Sequence, residues 1–160
     1  MSAPRTAKKV LGKPLFYYEG VRRCVQHLVG HRGFRVVGVI YENFKAADCY
    51  DKGVPADIET LCDSIELTPR LDGQRHRSAD DEMTIKCAFQ RNCRFLDNDN
   101  YRDWRVAMHD ESVRRWLLEN QTHLHMRYYF DSVLGTFSLL DGNVSPRSRH
   151  PPYHVAVGGA

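Results

Sequence analysis

The chain has 160 residues, 42% hydrophobic and 27% charged, enough for one domain with a single core and too apolar for a disordered tail. A formal charge of +3 and a pI near 8.6 admit a polyanionic partner without demanding one. No run is long and apolar enough to span a bilayer, and Met1-Ser2-Ala3-Pro4-Arg5 lacks the apolar segment of a secretory signal, so nothing addresses the chain to a membrane and an intracellular protein, cytoplasmic or nuclear, is expected.

Residues 1–14 are basic and polar, an irregular lead-in where a strand could be missing. Between Phe16 and His31, Val21, Cys24, Val25, Leu28 and Val29 recur at helical spacing, and Gly30 and Gly33 bracket the helix end. The β-branched run from Phe34 to Ile40 predicts a strand buried on both faces of a parallel sheet. After a polar connection, Asp57 is placed to cap a short helix carrying Ile58, Leu61, Cys62 and Ile65, and Glu66-Leu67-Thr68 is a candidate strand.

A loop with Arg70, Arg75, His76 and Arg77 precedes a helix from Ser78 to about Gln90, with Met83, Cys87 and Ala88 turned inward. Cys93 to Leu96 reads as a short strand, Glu111 to Asn120 as a helix burying Val113, Trp116, Leu117 and Leu118, and His123 to Leu140 as strand-rich. Residues 142–160, rich in proline and basic side chains, read as a loose extension. The alternation of helix and strand is that of an α/β domain over residues 15–141, with ligand sites beyond the carboxyl ends of its strands. Five cysteines (Cys24, Cys49, Cys62, Cys87, Cys93) without a CxxC pair read as reduced core residues.

Carboxylates gather where strands and loops give way to helices: Asp80-Asp81 on one side, and Asp97, Asp99 and Asp103 within Leu96 to Trp104 on the other. Several such groups at one sheet edge suit a hard cation such as Mg²⁺, which takes carboxylate, water and phosphate oxygens. If Asp99 opens a helix, Asp103 stands one turn further on the same face. The competing reading is structural, because Asp and Asn are also favoured caps and turn formers. Arg102 and Arg105, interleaved with Tyr101 and Trp104, and the earlier arginines could neutralise phosphates. His123 and His125 alternate as on one strand but lack two further partners for zinc.

Asp80-Asp81 opening an apolar helix, then Asp97-Asn98-Asp99-Asn100-Tyr101-Arg102-Asp103, Trp116 and Tyr128-Tyr129-Phe130, resemble the NYN/PIN-like ribonuclease domain, in the Regnase (MCPIP) branch of CCCH-zinc-finger endoribonucleases. The resemblance runs from about Gly12 to about Asp141. It implies a three-layer α/β/α sandwich with a central, mainly parallel sheet, and Mg²⁺- or Mn²⁺-dependent cleavage of single-stranded or stem-loop RNA, as in mRNA decay. By the same resemblance Asp80, Asp81, Asp99 and Asp103 are the catalytic and metal residues. Arg70, Arg75, Arg77 and Arg102, with Asn98 and Asn100, then hold the substrate. The family begins with an apolar strand ending in an Asp that binds metal, and here both strand and Asp are missing, since the first acidic residue is Glu19.

Three functions follow as expectations: an endoribonuclease domain, a catalytically impaired RNA-binding pseudo-nuclease, and an interaction module, with self-association open and no membrane partner. The absent first carboxylate discriminates between the first and the other two.

Overall fold

A computed structural model describes residues 9–10, 13–14, 18–41, 54–68, 79–131, 133–140 and 154–158. After a two-stranded ribbon, β1 (Lys9–Val10) with β2 (Lys13–Pro14), helix α1 (Tyr18–Gln26) runs into a wider π turn at His27–His31. Gly33, with φ of +68°, turns the chain into β3 (Arg35–Tyr41). There follow α2 (Ala56–Leu61), β4 (Ser64–Thr68), α3 (Ala79–Arg91), β5 (Arg94–Leu96), α4 (Trp104–Ala107), α5 (Glu111–Leu124), β6 (His125–Met126), a hairpin of β7 (Tyr128–Asp131) with β8 (Thr136–Leu139), and β9 (His154–Gly158).

The central sheet has the order β4-β3-β9-β5-β6 and every pairing in it is parallel. Successive side chains on its strands enter different cores. Val36, Val155, Val157 and Leu96 face α1, α2 and the hairpin, where Cys24, Leu28 and Ile58 complete one cluster. Val39, Ala156 and Phe95 face α3 and α5, where Ile85, Ala88, Val113 and Leu117 complete the other. This is the three-layer α/β/α sandwich implied by the resemblance.

The structure differs most from the sequence reading at the end of the chain. Residues 154–158 lie in the middle of the sheet, between β3 and β5, and not in a loose extension. Val155, Ala156 and Val157 are fully buried, and the slot that the resemblance leaves without a strand is filled by one from the far end of the sequence. Two unpaired inner edges would otherwise leave buried N–H and C=O groups without partners. At its start β9 is pinned by His154, whose Nε2 lies 3.2 Å from Asp63, itself paired with Arg35.

Smaller differences have local causes. Pro55 precedes α2, while Asp57 sits in its first turn and pairs with Arg22 of α1. Ile65 belongs to β4, because α2 stops at Leu61. Helix α5 extends to Leu124, which puts His123 in its last turn and not on a strand. Leu118 is on the solvent face of α5 and exposed. Cys24, Cys62, Cys87 and Cys93 are free thiols, three of them fully buried; burial pushes the Cys93 thiol up to about 11. Cys49 and Ser78 lie outside the described residues. No helix among the described residues is long and apolar enough to cross a membrane.

Candidate active site

The carboxyl ends of β5 and β9 and the amino end of α3 meet at one corner. Leu96 is level with Val157, so one residue further stand Asp97, just past β5, and Gly158, the last residue of β9. Asp97 follows Phe95 by two residues and so points to the α3 side of the sheet. Helix α3 brings Asp80, Asp81 and Glu82 in its first turn, where the helix dipole favours negative charge. Asp80 is buried and its carbonyl accepts the Thr84 hydroxyl at 2.8 Å; Glu82 is drawn aside by Lys86 at 2.6 Å.

Asp81 records how close these groups are. Burial first, and then the charges of Asp80, Asp97 and Asp99, push its carboxyl up to about 7. Asp103 is not among the groups that act on it. Instead Asp103 is exposed at the head of the four-residue helix α4, where its carbonyl accepts the amides of Val106 and Ala107.

The segment from Asp97 to Asp103 is a chain of side-chain turns and not the start of a helix. Asp97 Oδ1 accepts the Asp99 amide at 2.7 Å, Asp99 Oδ1 accepts the Tyr101 amide at 2.7 Å, and Asn100 Oδ1 accepts the Arg102 amide at 2.9 Å. Each bond competes with a helical turn for the same N–H, so the helix expected from Asp99 begins only at Trp104. Tyr101 holds the loop down. Its backbone φ is +52°, a conformation costing on the order of 1–3 kcal/mol in a non-glycine residue. The buried ring offsets this by packing edge-on against Phe95 and His125, each at 5.4 Å. Its hydroxyl is buried without a hydrogen bond of normal geometry and lies in the field of Asp97 and Asp81, which with burial holds it well above its usual pKa.

Asn98 clamps the far side of the loop, its amide donating to the Tyr128 carbonyl and its Oδ1 accepting the Tyr128 amide, both at 3.0 Å. Both polar groups of this side chain are therefore used within the fold, whereas a substrate-holding role was expected. Asn98→Ala is expected to lower stability by about 1–3 kcal/mol through the unpaired β7 backbone, measured by urea denaturation with the slope unchanged. Arg102 and Asn100 are exposed beside the loop. Arg70, Arg75 and Arg77 lie outside the described residues, in the segment that leads into α3.

Asp80, Asp81 and Asp99 are thus brought to one corner with Asp97, which the argument from helical spacing passes over. A signal for it was present, since an Asp directly after a buried strand stands at the carboxyl end of a parallel sheet. Among the described residues no group of three or more His, Cys, Asp or Glu side chains is drawn tightly enough to cage an ion by itself. The donor set still fits Mg²⁺ or Mn²⁺, because all its donors are hard oxygens and such an ion keeps several waters and needs only one or two carboxylates.

A family profile described as Zc3h12a-like Ribonuclease NYN domain matches residues 7–133. The chain belongs to this family. No curated protein and no solved structure matches the chain. The matched span covers both acidic elements of the NYN domain, α3 and the loop after β5, and stops before β9. The central strand of this NYN domain thus comes from beyond the family match. Membership in a ribonuclease family makes RNA the substrate class and hydrolysis the reaction class.

Proposed function

We propose that this NYN domain is a metal-dependent endoribonuclease that cuts phosphodiester bonds in single-stranded or stem-loop RNA, with a role in mRNA decay. The observation that carries the reading is the meeting of Asp80, Asp81, Asp97 and Asp99 at the carboxyl end of a parallel sheet, close enough that burial and the three neighbours push the Asp81 carboxyl up. Mutual repulsion of this kind is relieved by a cation, and strongly perturbed carboxylates mark catalytic corners.

Asp81, Asp80 and Asp99 would hold Mg²⁺ or Mn²⁺, with Asp97 behind them, while Asp103 stands apart at the head of α4. When bound, the cation activates a water and stabilises charge on the scissile phosphate. Asp97 fixes the position of Asp99 by accepting its amide, and Asn98 and Tyr101 fix the loop. Arg102 and Asn100 beside the loop, and Arg70, Arg75 and Arg77 before α3, would hold the phosphates on either side.

A second reading, a catalytically impaired RNA-binding module, is favoured by one observation. The strand beside Asp97 ends in Gly158, so β9 supplies no side chain where the resemblance places a metal-binding Asp. Incubation of labelled single-stranded RNA with the protein and Mg²⁺ or Mn²⁺ separates the two. Cleavage that falls about 100-fold or more in Asp99→Asn is the expected result. Undiminished cleavage in that variant would remove the assigned site, and binding without turnover in the parent protein would select the second reading.

A further inference from the structure

Beside the acidic corner lies a cleft of opposite character. It has a volume of about 500 Å³ and is walled by α5, the Asn100 loop and the β6 edge of the sheet, with Arg94, Arg105, Arg127, His123 and His125 lining it and no carboxylate among its lining residues. That volume is within the range of about 300–1,000 Å³ typical of small-ligand sites, room for a nucleotide-sized group. Arg94 is half-buried and its Nη1 donates to the His123 carbonyl at 2.8 Å, a neutral acceptor that does not cancel its charge. Desolvation lowers its pKa accordingly.

The cleft shares a wall with the proposed catalytic loop. The Gln121 side-chain amide donates to the Asn100 carbonyl at 2.8 Å, and His125 Nε2 lies 2.9 Å from the Asp97 carbonyl. Gln121 also approaches His125 Nδ1 at 3.4 Å, so a single set of hydrogen bonds spans from the cleft to the backbone that carries Asp97 and Asn100. The imidazole is further fixed by stacking on Phe95 at 4.9 Å. A polyanion that follows this loop away from the acidic corner therefore meets the cleft at Asn100. Guanidinium groups suit this because they grip phosphate oxygens in a planar fork.

We propose that the cleft lined by Arg94, Arg105 and Arg127 binds the backbone of the RNA strand on one side of the scissile bond. The proposal rests on the ribonuclease reading for its ligand and goes beyond it in assigning residues that the acidic corner does not contain. Its test measures binding of fluorescently labelled single-stranded RNA by anisotropy in EDTA, where turnover plays no part. The double variant Arg105→Ala/Arg127→Ala should weaken binding about tenfold or more, and lower the slope of log K against log salt by about 1.4, two phosphate contacts at about 0.7 each for a single strand. Arg105→Lys/Arg127→Lys should retain most of the slope, which separates lost charge from a damaged fold, as does an unchanged melting temperature. Affinity and salt slope equal to the parent in the alanine variant would overturn the proposal. A parent protein that binds RNA through these arginines but never cuts it would sink the ribonuclease reading and keep the cleft. Asp99-dependent cutting with a KM indifferent to the double variant would do the reverse.

Discussion

Truncation of the chain before His154 should abolish cooperative thermal unfolding. β9 pairs with β3 on one side and β5 on the other, and it joins two half-sheets, β4-β3 and β5-β6, that have no other strand between them. Val155 and Val157 are buried in one core and Ala156 in the other. Each valine contributes about 1.5–3 kcal/mol by burial. Each buried backbone group left unpaired on the exposed inner edges costs about 1–3 kcal/mol more. Against a net stability of about 5–15 kcal/mol these losses are decisive. The single change Val155→Asp should act in the same direction, by burying a carboxylate among the apolar side chains of the first core. Circular dichroism on heating measures both, and a peptide of residues 150–160 added in trans should restore part of the transition to the truncated chain. A truncated protein that melts cooperatively within about 5 °C of the parent, a shift worth only about 1–2 kcal/mol at this size, would show that the slot does not need this strand.

Asp81→Asn should make the protein more stable and less active at once. In the unfolded chain this carboxyl ionises near the usual aspartate value of 3.8, while in the folded protein it holds its proton up to about 7. Between those limits the folded state binds more protons than the unfolded one, so stability falls as pH rises through this window. Below it both states are protonated and nothing is lost; above it the whole cost of ionising a buried, crowded carboxylate is present. Asparagine carries no such charge. The variant should therefore melt several degrees above the parent above about pH 7, with the difference closing towards about pH 4. Mg²⁺ should raise the parent's melting temperature more than the variant's, because only a ligand that binds the folded state stabilises it. Cleavage should drop by about 100-fold or more. Melting curves that coincide at every pH, or cleavage that persists, would show that Asp81 is not the strained centre of the corner. Gains in stability on removing a functional charge are the usual mark of an active site.

The helices and most strands could be read from the sequence because their signals are periodic. Val21, Cys24, Val25 and Leu28 mark α1, and the Phe34 to Ile40 run marks β3, since burial on one stripe or on both faces leaves a repeating pattern. β9 was hidden because a buried parallel strand need show only a short apolar run. Val155-Ala156-Val157 is three residues long, between Pro151-Pro152 and Gly158-Gly159, and its surroundings have the composition of a tail. Its partners are far away in sequence, and no local pattern can report them. The acidic corner was half legible. Asp80 and Asp81 fell where a helix start put them, but the geometry of Asp99 depended on whether side chains or carbonyls took the loop's N–H groups. Helical spacing joined Asp103 to Asp99; the Asx turns joined Asp97 instead. Of the arginines of the basic cleft only Arg105 was marked in the sequence, since Arg94, Arg105 and Arg127 come from three separate places, β5, α4 and the link between β6 and β7.

The place of β9 also governs how the molecule can be made. Arg35 pairs with His154, and Arg94 with Val155, so the contacts that close the sheet join residues 119 and 61 positions apart. Contacts of such long sequence separation slow folding, because the loop entropy must be lost before they form. During synthesis the strands that flank the slot emerge well before the one that fills it. Until then the nascent protein carries two open strand edges, the kind of surface that pairs with other chains. Closure of the sheet thus waits on one short segment that pairs with β3 on one side and β5 on the other.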